Sequence, residues 1–341
     1  MKIFKIKLST LMLVIVAIIN ATPVLASCGN TNATTNNGNS QSDKPQRGKG
    51  GKPGGPQLGT PGGGPVIDKS GDETLQAMIK AEVPQFKQFE YSDVASGKTI
   101  NYSLFTPKNI DKAKKYPLIL FMADASTPGT DDVTRPLTQG YGALVWATDE
   151  WQKGNPCYVL VPQYSGVAVN DAYEHTDEVD MVARLVKEIS QNPTIDSNRL
   201  YTTGQSMGGM ISMYYNSAYP DLFAASIFVD CHWDSATFPE LVKHKFAFIT
   251  AGKAGTFDAL EQAADNAGVK YEYVEFSAKL PQSEQDKIAA NLLAKGAPIN
   301  IINFESKTVL PTDGKGSEHM YSFDYAYRLT PVREWLFRQS K

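Results

Sequence analysis

The sequence predicts an α/β fold, a mostly parallel twisted sheet with helices on both faces, and three observations carry that prediction. From about residue 72 onward, short apolar runs alternate with helical patterns, as in a sheet whose strands are joined by helical crossovers. Runs such as "PLILFM" (117–122) and "FAFIT" (246–250) are apolar without alternation, which suits strands buried on both faces. No internal repeat and no second linker follows residue 72, so the segment 72–341 reads as one domain of about 270 residues.

Taken in order, the first 27 residues differ from the rest. Lys2, Lys5 and Lys7 precede the apolar run "LMLVIVAII", which is short for a membrane span and reads as a secretory signal. The run ends in "LASC", Leu25 to Cys28, which resembles the bacterial lipobox; that resemblance implies a lipidated Cys28, a membrane partner through the lipid anchor and an extracytoplasmic enzyme. A plain signal cleaved near Ala26, giving a secreted protein, is the alternative. Residues 28–71 are dense in Gly, Asn and Pro, and no aromatic residue occurs between Phe4 and Phe86. Such a segment cannot bury enough apolar surface to offset its chain entropy, so a flexible tether is expected. The basic residues of its stretch 29–65, Lys44, Arg47, Lys49 and Lys52, read as part of a solvated spacer.

Within 72–341, strands are expected at 86–91, 99–105, 117–123, 157–162, 199–204, 224–230, 245–251, 270–276 and 299–304. Amphipathic helices are expected near 136–152, 175–191, 207–218, 257–267, 282–295 and 331–339. Cys157 begins one strand and Cys231 follows another, which places them at opposite edges of a parallel sheet; free thiols are expected there. A net charge of −3 suggests no nucleic-acid partner. No metal-ligand spacing, phosphate loop or dinucleotide fingerprint occurs, so no cofactor and no metal are expected.

The chemistry concentrates at "YTTGQSMGGM" (201–210). Gly204, Ser206 and Gly208 form a G-x-S-x-G pattern, preceded by the β-prone run "LYTT" and followed by a proline-free helical run up to Pro220. A serine in a tight strand-to-helix turn needs neighbours without side-chain bulk, and the helix start aims amide hydrogens at whatever the serine attacks. Ser206 is therefore the candidate nucleophile. Sites of parallel sheets lie at the carboxyl ends of the strands, which tests the four histidines. His244 precedes a strand and stands at the wrong edge, and His175 reads as a helix-capping residue. His232, after strand 224–230, and His319, beyond the last strand, remain.

The order of strand, "GQSMGG", helix and late histidine resembles the α/β-hydrolase fold. "NRLYTTGQSMGGM", "YPDLFAA" and "SEHMYSFDYAYRLTPVREWLF" are similar to secreted esterases and peptidases related to prolyl oligopeptidase, which overlap with feruloyl-esterase-like enzymes; the likeness covers roughly residues 85 to 340. It implies Ser206 as nucleophile and His319 as general base, which leaves His232 as a pocket residue; apart from the resemblance, Trp233 and Tyr164 are aromatics expected at an open cleft, with Trp151 and Phe257 as further candidates. The backbone N–H of Met207 is the expected first oxyanion donor. The second comes from the loop after strand 117–123, where the fold commonly carries His-Gly; here Ala123 and Asp124 stand in its place, and Ala125 is the expected donor. Where relatives carry the acid in a run resembling "AGD", this chain has Lys253. Asp234, after strand 224–230, is the preferred acid, with Asp258 as the alternative.

Only about fourteen residues separate strand 224–230 from strand 245–251, so no large cap domain is expected and the cleft should be open. The function expected is an extracytoplasmic serine carboxylic-ester hydrolase working through an acyl-enzyme. An open cleft on a tethered enzyme suits feruloyl or acetyl esters of plant polysaccharide. Two alternatives stand beside it: a serine peptidase of prolyl-oligopeptidase-like type, and an inactive binding lipoprotein on a hydrolase scaffold, which Lys253 and the missing His-Gly would favour.

Overall fold

The computed structural model describes residues 57–63, 66–252 and 256–341. The signal, the lipobox with Cys28, and Lys253 lie outside the described residues. The strands are β1 (Lys87–Asp93), β2 (Lys98–Phe105), β3 (Tyr116–Met122), β4 (Tyr158–Gln163), β5 (Ile195–Gln205), β6 (Ala225–Val229), β7 (Phe246–Ala251), β8 (Tyr271–Phe276) and β9 (Ile299–Phe304). The α-helices are α1 (Glu73–Glu82), α2 (Arg135–Thr138), α3 (Tyr141–Leu144), α4 (Asp149–Gly154), α5 (Asp177–Ile189), α6 (Met207–Ala218), α7 (Phe238–Leu241), α8 (Thr256–Ala267), α9 (Gln282–Leu293), α10 (Glu318–Arg328) and α11 (Thr330–Phe337).

All nine strands join one sheet in the order β1-β2-β4-β3-β5-β6-β7-β9-β8. The β1/β2 and β2/β4 pairs are antiparallel and every other pair is parallel. In β3 the side chains of Ile119 and Phe121 enter one buried cluster, while Leu118, Leu120 and Met122 enter the other. The two-residue period of a strand therefore divides one apolar run between two cores, one on each sheet face. That explains why "PLILFM" shows no polar alternation. The edge strand β1, "KQFEYSD", is mostly exposed and polar, as an unprotected edge requires, and its exposed Phe89 stacks on Tyr102 at 5.4 Å.

The single helix expected near 136–152 is three short ones instead. After α2 the chain turns at Gly140, where the N–H of Tyr141 donates to Asp324 Oδ1 at 3.3 Å. Thr148 then caps α4, its hydroxyl accepting from the Trp151 N–H at 3.2 Å. The buried Trp146 and Trp151 pack edge to face at 5.6 Å in this region, so apolar content is high although the helix is interrupted. α1 and α10 were not expected from sequence.

The segment assigned to a tether reaches less far than its composition suggests. Residues 57–63 and 66–71 lie on the domain: Gly59 N donates to Val167 O at 2.9 Å, Val167 N to Thr60 O at 2.8 Å, and Gly62 N to Pro128 O at 2.8 Å. Backbone pairing supplies here what the side chains lack. Cys157 and Cys231 are both buried free thiols. No helix among the described residues is long and apolar enough to cross a membrane.

Candidate active site

β5 runs straight into α6, and Ser206 occupies the turn between them with φ 50° and ψ −118°. That backbone conformation is strained for a residue with a Cβ, and it lifts the hydroxyl above the carboxyl edge of the sheet. The turn closes because nothing projects from its glycines. A Cβ on Gly204 would lie 2.2 Å from the carbonyl carbon of Gly208, and one on Gly208 would lie 2.0 Å from Met122 O. The Ser206 N–H donates to Val229 O at 3.0 Å, which ties the turn to β6.

His319 comes from the first turn of α10, whose preceding segment crosses back over the carboxyl edge after β9. Its Nε2 is 2.9 Å from Ser206 Oγ. Its Nδ1 is 3.0 Å from Asp230 Oδ1. The helix spacing puts Ser322 and Phe323 beside it, three and four residues on. The Phe323 ring meets the imidazole edge to face at 5.0 Å, and the buried Ser322 hydroxyl donates to Asp230 Oδ2 at 2.6 Å. Asp230 Oδ2 also accepts from the Ala251 N–H at 3.3 Å. The carboxylate is thus held on both oxygens, and its side chain is only 14% exposed.

The acid in this arrangement is Asp230, which corrects both expected candidates. Asp234 lies four residues further along, where its carboxylate accepts from the Ala236 N–H at 2.9 Å and caps a short 3₁₀ turn. Asp258 is exposed in the first turn of α8. β6 ends at Val229, one residue earlier than expected, so Asp230 is the first residue past the strand. Its φ of 42° turns the side chain toward α10. Aspartate is among the few residues that tolerate this region, and that is the one local signal that could have singled it out.

The expected oxyanion donors are placed as follows. Met207 is the first residue of α6, so its N–H has no acceptor within the helix. Ala125 follows β3 in a tight loop, and its N–H has no acceptor among the described residues. Beside it lies the buried Asp124. Its Oδ1 accepts from Ser126 N at 2.9 Å and Ser126 Oγ at 2.5 Å, and its Oδ2 accepts from Gln205 Nε2 at 2.9 Å. The residue before the serine is thereby tied to the residue before Ala125. A cavity of about 240 Å³ opens here, lined by Asp124, Ser126 and Gln205, by Met320 and Phe323 of α10, and by Arg135.

None of the expected pocket residues lines that cavity. Tyr164 is buried, its hydroxyl 3.4 Å from Met122 Sδ, and burial raises its phenol far above the usual range. Trp233 is also buried, packed edge to face on Tyr173 at 5.6 Å and Tyr214 at 5.9 Å. His232 is half-exposed, with Nε2 3.4 Å from Asp171 Oδ1. Among the described residues no group of three His, Cys, Asp or Glu side chains is placed to hold a metal ion.

Fold and site together define a class: an α/β-hydrolase sheet with a hydrogen-bonded serine–histidine–aspartate row at its carboxyl edge. No protein-family model matches the chain, and no curated protein matches it. Among solved structures it is similar to a thermostable esterase, with TM-score 0.60, 23% identity, and 76% of this chain covered. The match spans 64% of that esterase's own length. It is also similar to a ferulic acid esterase at TM-score 0.43 and 14% identity, covering 73% of this chain and 99% of that one. A dipeptidyl peptidase 4 from Porphyromonas gingivalis overlays at TM-score 0.43 and 11% identity, covering 71% of this chain and 35% of that one.

Proposed function

We propose that this chain is a serine hydrolase that cleaves carboxylic esters through an acyl-enzyme, exported and held at a membrane by a lipid on Cys28. One observation carries the chemistry: a continuous hydrogen-bonded path from Ser206 Oγ through His319 to Asp230, at 2.9 and 3.0 Å. The bond to Asp230 favours the tautomer with the proton on Nδ1, which leaves Nε2 free to accept the serine proton. Ser206 Oγ attacks the ester carbonyl while His319 takes its proton, and Asp230 stabilises the imidazolium that results. The oxyanion is received by the N–H groups of Met207 and Ala125. His319 then returns the proton to the departing alcohol, and water repeats the sequence to release the acid.

The site supports an active enzyme over an inactive scaffold. Asp230 supplies the carboxylate that Lys253 does not, and Asp124 braces the loop that lacks His-Gly. The His319 side chain is 41% exposed and β6 and β7 are joined by a short connection, which suits esters on bulky material such as acylated plant polysaccharide. The likeness to a thermostable esterase supports ester cleavage. The export and anchoring proposals rest on the lysines, the apolar run and "LASC" at the N-terminus.

A panel of p-nitrophenyl acetate, methyl ferulate and a peptide p-nitroanilide tests this reading. We expect ester turnover well above amide turnover, covalent labelling of Ser206 by a fluorophosphonate, and loss of both in Ser206→Ala with thermal stability within about 1 kcal/mol. Undiminished turnover in Ser206→Ala would remove the serine from the mechanism, and faster amide than ester cleavage would make the enzyme a peptidase.

A further inference from the structure

The segment before α1 touches two of the elements that build the site. Gly63 N donates to Ala125 O at 3.2 Å, and Gly62 N donates to Pro128 O at 2.8 Å, so the strap grips the loop after β3 at two points. The contact is flush: a Cβ on Gly62 would lie 2.7 Å from Ala125 O and 2.8 Å from Pro128 O. Further on, Lys69 Nζ pairs with Asp324 Oδ2 at 2.6 Å, with both side chains less than a fifth exposed. Asp324 belongs to α10, the helix that carries His319. Between and beside these two anchors, Val66, Ile67, Lys69 and Ser70 form one wall of the cavity next to Gln205, Met320 and Phe323.

We propose that residues 59–63 and 66–70 are a positioning segment for the reaction, which holds the Ala125 loop in the geometry that receives the oxyanion and walls one side of the cavity next to the site, beside Gln205. The inference rests on the hydrolase reading above. It follows from what each contact restrains. The loop after β3 has no regular structure of its own; within it, the Asp124 carboxylate fixes the inner side through Gln205 and Ser126. The strap holds the outer side through the Ala125 and Pro128 carbonyls, while Gln163 Nε2 holds Thr127 O at 3.0 Å and Gly129 N donates to Tyr164 O at 3.1 Å further along the loop. An oxyanion donor contributes only when it is already aimed, so freeing one side of its loop lowers kcat more than it weakens substrate binding.

The test uses the full chain with residues 59–70 deleted, and a second variant, Gly62→Val, in which the side chain meets the two carbonyls. Sites are counted by fluorophosphonate titration, and turnover of p-nitrophenyl acetate is expressed per titrated site. We expect kcat to fall at least about fivefold in both variants, with an unchanged pH–rate profile in Gly62→Val, which leaves the Lys69–Asp324 pair on α10 in place; loss of a whole oxyanion donor would cost about 10²–10³. A merely structural strap would lower the melting temperature and leave kcat per site within that fivefold limit, and this result overturns the inference. If the deletion does not fold, Gly62→Val decides by the same limit. A wild-type chain that neither labels at Ser206 nor turns over any ester would instead overturn the hydrolase reading and this inference with it.

Discussion

Asp230 holds its place through a backbone conformation that most residues avoid, at φ 42°, one residue past a fully buried strand. Its carboxylate is shared among His319, Ser322 and the Ala251 N–H, so replacing it with an amide leaves volume and packing nearly intact and disrupts only the charge and the acceptor pattern. Asp230→Asn should therefore fold with little change in melting temperature and lose about 10³–10⁴ in kcat, since the imidazole is then held in the wrong tautomer. Asp234→Asn should keep full kcat and cost at most about 1 kcal/mol, the scale of a weakened cap. Measured side by side on one ester, the two variants separate the assignments: a rate loss at Asp234 with none at Asp230 would move the acid. Ser206 and His319 stood out in the sequence because each carries a local signature, a glycine-flanked turn and an isolated histidine after the last strand. Asp230 offered only the tolerance of aspartate for a left-handed backbone. It closes an apolar run, and only the tertiary path of the chain turns it toward α10.

At the level of elements, all nine expected strands are present with ends within a few residues of those read from the apolar runs, because a strand buried on both faces writes its burial directly into the sequence. Helices were less legible. α10, "EHMYSFDYAYR", mixes aromatic, polar and charged residues because one side faces the core and another lines the cavity, so its periodicity is blurred. How α5 is joined to the sheet edge was also beyond sequence reach. The Arg184 guanidinium grips the Asp93 carboxylate at the end of β1 through two bonds of 2.7 and 2.8 Å. This fork holds the Asp93 carboxyl far below the usual carboxylate range, against the opposing effect of burial, with the Ser96 N–H assisting. A carboxyl whose folded value is depressed adds stability that is present above its unfolded value of about 3.8 and is lost as the pH falls from there toward the folded value. The melting-temperature gap between wild type and Asp93→Asn should thus be level from about pH 8 to pH 5 and narrow below about pH 4. A gap that stays constant into acid would mean that the pair adds no pH-linked stability.

For the whole molecule, the question is what ties the site to its surroundings. Every group assigned to the chemistry, and the strap that borders the cavity, lies at or after residue 59, whereas the proposed anchor is a single cysteine at position 28. Anchoring and catalysis should then be separable. A lone acyl chain binds a membrane only marginally, at about 0.8 kcal/mol per buried CH₂, whereas a bacterial lipoprotein cysteine carrying several chains is held firmly. Cys28→Ala should move the protein from the membrane pellet to the soluble fraction, since the proposed lipid is lost and no helix among the described residues is long and apolar enough to cross a membrane. Its kcat and KM on p-nitrophenyl acetate should equal those of the detergent-solubilised wild type. On an insoluble acylated polysaccharide, the released enzyme should gain access to particles that a membrane-held enzyme meets only by contact. Retention of Cys28→Ala in the pellet after its signal has been cleaved would show that the lipobox reading is wrong. A fall in its soluble-ester kcat would mean that the residues before 59 reach the site after all.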